Sequence, residues 1–181
     1  TLVVVVGVDE GLFSADFRAS EKLAQQLIQV AGRAGRAQRP GEVRLQTHHP
    51  DHPLLNTLIQ GGYHAFAENE LEQRQAAGFP PFAHLALLRA EAKHAEAAEA
   101  FLRIAKSLCS AEMQNTDMEI QGPLPAPMQR RAGMHRMQLL LSAPDRRILH
   151  TLLDVALPSI YELPEARKVR WSLDVDPLDL Y

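Results

Sequence analysis

The sequence predicts a mixed α/β protein built in two parts, and three of its features support that prediction. Residues 2–8 (LVVVVGV) are almost wholly apolar, as strands of buried parallel sheets are. Residues 169–175 alternate between apolar and polar side chains, which predicts a strand with one buried face. Between them, the run GFPP at 78–81 interrupts regular structure. We therefore predict two domains, at residues 1–76 and 80–181.

The first part continues with helices and a second strand. A helix is predicted from about Ser20, whose side chain can cap the first turn, to the glycines at 32–35, because glycine commonly follows a helix end. The alternating run at 42–46 predicts a strand, and helical periodicity returns from Leu54 to about Ala77. With the buried opening strand, these elements fit a parallel sheet.

The second part has the pattern of a ferredoxin-like module. Its predicted order is βαββαβ, which is the order of that fold. The alternation at 169–175 points Trp171 inward, so we expect this ring in the core rather than on a base-stacking surface. Strands are predicted at 83–91, 118–121, 134–142 and 169–175, and helices at 94–109 and from Pro144 onward.

The composition excludes several classes of protein. No stretch reaches the ~20 apolar residues of a membrane helix and no signal peptide is visible, so we expect no membrane partner. The single cysteine, Cys109, cannot form an internal disulfide or a zinc cluster, which fits a reducing cytoplasm. It lies in an apolar helical stripe and is predicted to be core. Because Thr1 stands where an initiator methionine would, we expect a fragment of a longer protein.

Charge is distributed unevenly along the chain. The net charge is -3, yet residues 122–150 carry five arginines against one carboxylate. Such asymmetry indicates a local anion-binding face. We predict that Arg130, Arg131 and Arg136, on the connection between two strands, follow a phosphate backbone, the alternative being a solvated charged turn. Arg146 and Arg147 begin a helix, where an anion is favoured, although an ordinary surface helix start fits them too.

The run QVAGRAGR at 29–36 is the strongest functional signal. Arg33 and Arg36 are three residues apart at a helix end, so their guanidinium groups can converge on one point. The small residues between them let another surface approach closely. Planar, always-charged forks suit phosphate oxygens and stabilise a transferring γ-phosphoryl group. The alternative is a basic helix end that complements the helix dipole, with glycines as caps.

Two weaker candidates lie nearby. The cluster of His48, His49, Asp51 and His52 has the composition of a metal site, but adjacent histidines do not supply convergent ligand geometry, and we predict no metal there. Asp9 ends the opening strand, a common position for functional carboxylates in α/β proteins. It either faces a nucleotide cleft or forms a turn.

Longer runs carry a family resemblance. QVAGRAGR closely resembles the sixth conserved motif of superfamily 2 helicases, which supplies arginine fingers across the cleft between two motor lobes. The runs at 11–21 and 41–50, together with that motif, are similar to the PriA family of replication-restart helicases (primosomal protein N′). The runs at 78–81, 122–126 and 167–177 are similar to the C-terminal domain of the same family. The resemblance covers essentially the whole chain.

The resemblance implies part of an ATP-dependent 3′-to-5′ DNA helicase that recognises abandoned forks and reloads the replicative helicase. Residues 1–76 would complete a RecA-like lobe, with Arg33 and Arg36 catalytic and with Gln29, Gly32 and Gly35 at the nucleotide. ATP and Mg²⁺ are expected in the intact protein, and the phosphate loop, acidic box and zinc module are expected upstream. Because residues 1–181 contain no G-x-x-x-x-G-K-[ST] run, the chain alone is expected not to hydrolyse ATP.

The resemblance also implies partners. They are forked and single-stranded DNA, other primosome proteins, and the acidic tail of single-stranded DNA-binding protein, whose carboxylate Arg146 and Arg147 would bind. The alternative from a different class is a non-catalytic nucleic-acid or peptide-binding module in which residues 29–36 are only a basic helix end. A phosphate loop encoded upstream would distinguish the helicase from this module.

Overall fold

A computed structural model of the chain describes residues 2–14, 16–34, 41–113 and 116–180. They form a mixed α/β structure, which confirms the predicted class, with a two-stranded parallel sheet and a four-stranded antiparallel sheet. The chain divides into two compact units, Thr1–Gln73 and Arg74–Tyr181. The GFPP run at 78–81 lies near the start of the second unit.

The secondary-structure elements have the following bounds. The strands are β1 Leu2–Val5, β2 Glu42–Leu45, β3 His84–Ala92, β4 Glu119–Arg131, β5 Met134–Ala143 and β6 Arg170–Val175. The helices are α1 Val8–Leu12, α2 Ala19–Ala34, α3 Pro53–Ala77, α4 Ala95–Glu112 and α5 Arg146–Glu162, and a 3-10 turn spans Pro164–Lys168. None of the described helices is long and apolar enough to cross a membrane.

The first unit packs helices against the β1–β2 pair. The two strands run parallel in register from Leu2 with Glu42 to Val5 with Leu45. Helix α3 is interrupted at Gly62, whose φ of 71° is easy only for glycine, so the helical region predicted from Leu54 to about Ala77 has a break there. The core of the unit consists of buried apolar side chains from the start of α1, from α2 and from α3: Val8, Leu23, Ala24, Leu27, Leu55, Leu58 and Phe66.

The opening strand is not buried on both faces, so that prediction is wrong for the described chain. Val4 is 56% and Val6 is 69% exposed, whereas Val5 packs against the core. The reason is that β1 has one partner strand and the apolar core on one side only. A run of valines indicates a strand whose side chains are stable when buried. It does not show which elements cover each face of that strand.

The second unit has strand order β4-β5-β3-β6, with every neighbouring pair antiparallel. Along the chain its elements follow the predicted order, strand, helix, strand, strand, helix, strand. Leu88 on the central strand β3 lies opposite Leu139 of β5 and Leu173 of β6. Because side chains alternate across a strand, the even-numbered residues of β3 share one face with these two leucines.

Helices α4 and α5 cover that face and form the larger core. Phe101 and Leu102 of α4 and Leu149 of α5 are fully buried, and burial of each such side chain contributes roughly 1.5–3 kcal/mol. The ring of Trp171 packs at 5.6 Å from that of Phe101, which confirms its predicted place in the core. Cys109 is buried in α4 as predicted, and burial raises the pKa of its thiol to about 11, so it stays protonated and unreactive.

Two of the boundaries that differ from the predicted ones have a clear physical reason. The strand predicted to end at 121 continues to Arg131 through irregularities in the pairing with β5. The prolines of this stretch lack N–H donors, but β4 is an edge strand and tolerates them. Pro144 was predicted to open a helix, whereas Asp145 caps α5 by accepting a hydrogen bond from the N–H of Arg147 at 2.6 Å.

Candidate nucleic-acid interface

The arginine motif lies at the C-terminal end of α2. Gln29, Gly32 and Arg33 are exposed, and the Arg33 side chain makes no ion pair or hydrogen bond with any residue that the structure describes. A side chain added at Gly32 would meet open space, so the surface here is accessible to a partner. The predicted nucleotide residue Gly35 and the predicted catalytic residue Arg36 lie outside the described residues. The predicted convergence of two guanidinium groups therefore stays a prediction.

Asp9 lies where the chain leaves the parallel strands. Its carboxylate accepts hydrogen bonds from the Thr47 hydroxyl and, at 3.0 Å, from the N–H of His48. These two hydrogen bonds hold the pKa of the Asp9 carboxyl below its usual value, and the bond from Thr47 has the larger effect. Asp9 thus ties the segment after β1 to the segment after β2, which favours its turn-forming role over a role in a cleft.

The histidines after β2 are engaged in local packing. The rings of His49 and His52 meet the ring of Phe13 edge-on at 4.6 and 5.6 Å. His52 Nδ1 also accepts a hydrogen bond from the N–H of Leu54 at 3.2 Å. Across residues 2–14, 16–34, 41–113 and 116–180, no group of three His, Cys, Asp or Glu side chains is arranged to hold a metal ion.

Two of the predicted DNA-binding arginines lie at the tip of the β4–β5 hairpin. Arg130 pairs in register with His135 and Arg131 with Met134. The two residues between the strands, Ala132 and Gly133, both have positive φ, which is typical of a tight hairpin turn. Both arginines are exposed and neither makes an ion pair within the described chain. Consecutive residues of a strand point to opposite faces, so the two side chains can reach different phosphates.

Arg136 is placed differently from the other two. Its side chain is only 11% exposed, and its Nε donates a hydrogen bond to Glu91 Oε1 of β3 at 2.9 Å. The structure therefore brings Arg130 and Arg131 together at the hairpin tip and holds Arg136 on the sheet in an ion pair. Any contact between Arg136 and an anion must compete with Glu91.

The fold adds basic residues that sequence reasoning did not assign to this site. Arg170 begins β6 directly opposite Glu91, and Lys93 follows β3 at the same end of the sheet. Arg167 and Lys168 precede β6, and all four side chains are exposed. In the sequence, the basic run 167–170 could have indicated these residues. Its position beside the hairpin, however, depends on the strand order, which the run does not reveal. One end of the second unit is therefore rich in unburied positive charge.

The two arginines that begin α5 do not share a partner. Arg146 forms an ion pair with Asp176, the residue after β6. Arg147 lines a cavity of about 300 Å³ whose other walls are mostly apolar. The lining residues are Glu112, Thr116, Met118, Arg147, Ile148, Thr151, Leu152 and Val155. The cavity thus places one basic and one acidic side chain, Arg147 and Glu112, beside a mostly apolar surface.

Two known proteins that are similar to this chain align with nearly all of it. It is 51% identical over 181 residues to the replication restart protein PriA of Haemophilus influenzae, an alignment that covers 99% of this chain and 24% of the relative. Identity is 37% to the replication restart protein PriA of Synechocystis, over 99% of the chain and 21% of the relative. The chain thus spans about a quarter of the length of these relatives.

A solved structure and a family model also match. The de novo designed protein Foldit4 aligns with 52% of this chain and 97% of its own, at a TM-score of 0.38 and 9% identity, which is too weak to support a conclusion. Residues 75–178 match the family model described as the primosomal protein N C-terminal domain. The chain belongs to the family of the primosomal protein N C-terminal domain, which confirms the resemblance found in its sequence.

Proposed function

We propose that the chain is the C-terminal part of an ATP-dependent 3′-to-5′ DNA helicase that recognises stalled forks and restarts replication by primosome assembly. The observation that carries the proposal is the basic end of the second unit, where Arg130, Arg131 and Arg170 are exposed and unpaired within the described chain. Guanidinium groups of this kind bind phosphate oxygens. Family membership and the relatives' names support the role in replication restart, whereas the helicase activity rests on the resemblance found in the sequence.

The first unit would be part of a RecA-like motor lobe. In a complete parallel sheet, the exposed face of β1 would be covered, which suits its apolar side chains. Arg33 and Arg36 would contact the γ-phosphate of ATP, and Gln29, Gly32 and Gly35 would line the nucleotide. Exposed Arg33 is free to reach such a ligand.

The remaining parts of the ATPase would belong to the rest of the protein. ATP and Mg²⁺ would be held mainly by another lobe, and zinc by a separate module upstream, as the family resemblance implies. The chain alone would not hydrolyse ATP, because the residues that grip the phosphates and the metal ion are not among its 181. We expect the protein to act in the cytoplasm.

The second unit would be a ferredoxin-like domain that binds DNA and partner proteins. Its strand order and the placing of both helices on one face suit that fold. Forked and single-stranded DNA would meet its basic end through backbone contacts. Such contacts give affinity and orientation without reading sequence.

Replacing Arg130 and Arg131 together with alanine should weaken binding of the 181-residue chain to forked DNA for every sequence tested. Each phosphate contact that is lost lowers the number of counterions released on binding. The slope of log affinity against log salt concentration should therefore become shallower by about 1 to 2. Fluorescence anisotropy between about 50 and 200 mM salt measures both quantities. Arg103→Ala is the matched control, since Arg103 is exposed on α4 and pairs with Glu99. A double variant with unchanged affinity and slope would show that the hairpin is a solvated turn.

The cavity beside Arg147 favours a second kind of partner, an acidic peptide such as the tail of single-stranded DNA-binding protein. A peptide that ends in an apolar residue could place that side chain among Ile148, Leu152 and Val155. Its carboxylate would then lie near Arg147. Arg146 would contribute only after its ion pair with Asp176 opens.

Arg147→Ala should weaken binding of a synthetic acidic peptide with a free terminal carboxylate by about tenfold, the equivalent of one lost charged contact. Arg146→Ala should also weaken it, while neither substitution should alter DNA binding much. Calorimetry with the peptide and with its terminal amide measures the effect. Arg130→Ala is the control. Equal binding of the free acid and the amide to the unaltered chain would argue against a carboxylate site.

A further inference from the structure

The sheet of the second unit has a second face, which turns away from α4 and α5. Its side chains form cross-strand rows, because residues directly opposite each other on antiparallel strands point to the same side. The rows run across β5, β3 and β6. They are Leu140, Leu87 and Asp174, then Gln138, Arg89 and Ser172, then Arg136, Glu91 and Arg170.

Part of this face is covered by the chain itself. Leu87 is fully buried although it points away from the helices. After β6 the chain turns at Asp176, whose φ is 54°, and Asp179 then lies beside Arg89, 3.8 Å from its Nη2. Asp174 also pairs with Arg89 at 3.1 Å. The charge of Arg89 is therefore compensated. The chain that follows β6 covers the sheet as far as the row that contains Arg89.

The third row, Arg136, Glu91 and Arg170, is not covered by the segment after β6. It lines a groove of about 480 Å³. Arg136 is paired with Glu91, and these two side chains are 11% and 26% exposed. Arg170 is exposed, and its side chain makes no ion pair or hydrogen bond with any residue in the described ranges. The groove is lined by Arg89, Glu91, Arg136, Arg170, Trp171 and Ser172. Its uncompensated charge is that of Arg170.

One of the residues that line the groove, Arg89, has a buried side-chain atom without a hydrogen bond. This atom is Nε, and Gln138, which pairs with Arg89 in register on β5, likewise has a buried Oε1 without a partner inside the described part of the chain. Buried polar atoms are nearly always hydrogen-bonded, and exceptions are often completed by a bound water or ion. The groove is therefore lined by one unpaired cation, Arg170, and by Arg89, whose Nε has no hydrogen-bond partner in the described chain.

We propose that this groove binds a phosphodiester group of DNA, with Arg170 as the residue that contacts the phosphate. The proposal rests on DNA binding by the second unit and assigns it a surface that the hairpin arginines do not form. Trp171 lines the groove, but its ring already packs against those of Phe101 and Tyr161, so it is not free to stack on a base. Contact with the backbone is the mode that remains.

The hairpin and the groove can act on one DNA backbone. Arg131 lies opposite Met134 and so shares the face of Arg136 and Arg170. From β4 to β6 the sheet spans three strand spacings, about 14 Å. A backbone that crosses the strands at this end would meet Arg131 first and Arg170 last.

The proposal predicts that a change at Glu91 raises the affinity for DNA, whereas a change at Arg170 lowers it. Its carboxylate repels a phosphate and keeps Arg136 occupied. Glu91→Gln should therefore raise the affinity of the 181-residue chain for forked DNA by about threefold and steepen the salt slope by about 1. Arg170→Ala should lower the affinity by about three- to tenfold and make the slope shallower by about 1. Loss of fold cannot produce the gain expected from Glu91→Gln.

The experiment compares both variants with the unaltered chain and with Arg103→Ala by anisotropy across salt concentrations, with a melting curve for each. If Arg170→Ala binds DNA as the unaltered chain does, the groove is not a DNA site, even where the hairpin variant has lost binding. If the unaltered chain binds no DNA, the proposed function fails as well. Titration with inorganic phosphate alone distinguishes a site for DNA from a site for free phosphate. If free phosphate bound as tightly as DNA does, the assignment to DNA would be overturned.

Discussion

Replacing Arg36 by alanine in the full-length protein, which we propose to be a helicase, should lower DNA-stimulated ATP turnover by about a thousandfold or more, as loss of an arginine finger does. The reason is electrostatic. Negative charge spreads over the transferring phosphoryl group, and a fixed guanidinium stabilises that charge more than it stabilises bound ATP. Steady-state turnover at saturating DNA measures the loss.

Fork binding by the Arg36→Ala protein should be preserved, because this residue would face ATP rather than DNA. Arg18→Ala is a suitable control, since Arg18 precedes α2, at the opposite end from the motif, and pairs with Glu21. The 181-residue chain by itself should show no turnover at any protein concentration. Turnover at the unaltered rate in Arg36→Ala would remove this residue from the catalytic site.

Phe101→Ala should lower the free energy of unfolding of the second unit by about 3–5 kcal/mol. The Phe101 side chain is fully buried, and its ring contacts that of Trp171. Truncation removes these contacts and leaves a cavity that rigid strands and helices cannot refill. Trp171 is the only tryptophan in the sequence, so its fluorescence during urea unfolding follows this unit alone.

Leu124→Ala is the matched control for that measurement. Leu124 lies on β4 and is 55% exposed, so its truncation should change the free energy of unfolding by less than about 0.5 kcal/mol. A loss below about 1 kcal/mol in Phe101→Ala would mean that α4 does not pack on the sheet as described.

The sequence was sufficient to predict the elements of the second unit. Alternation placed Trp171 and Leu173 on one face of the last strand, and helical spacing placed Phe101 and Cys109 on one face of α4. These periodicities reflect burial directly, because an apolar side chain gains only when it leaves water. The apolar opening strand was less informative, since composition does not specify how many neighbours a strand has.

The candidate interface could be predicted only in part. Arg130 and Arg131 are neighbours in sequence, and a hairpin keeps them together. Arg170 is far from them along the chain and joins them only because β6 pairs with β3. The ion pair of Arg136 with Glu91 likewise depends on register, which sequence charge counts cannot supply.

The salt dependence of DNA binding by the 181-residue chain tests the central claim most directly. That claim is that the basic end of the second unit binds the DNA backbone through Arg130, Arg131 and Arg170. Three phosphate contacts predict a log–log slope of about -2 to -3, with similar affinity for unrelated sequences. A slope near zero, or an affinity that depends strongly on base sequence at constant salt, would contradict the claim.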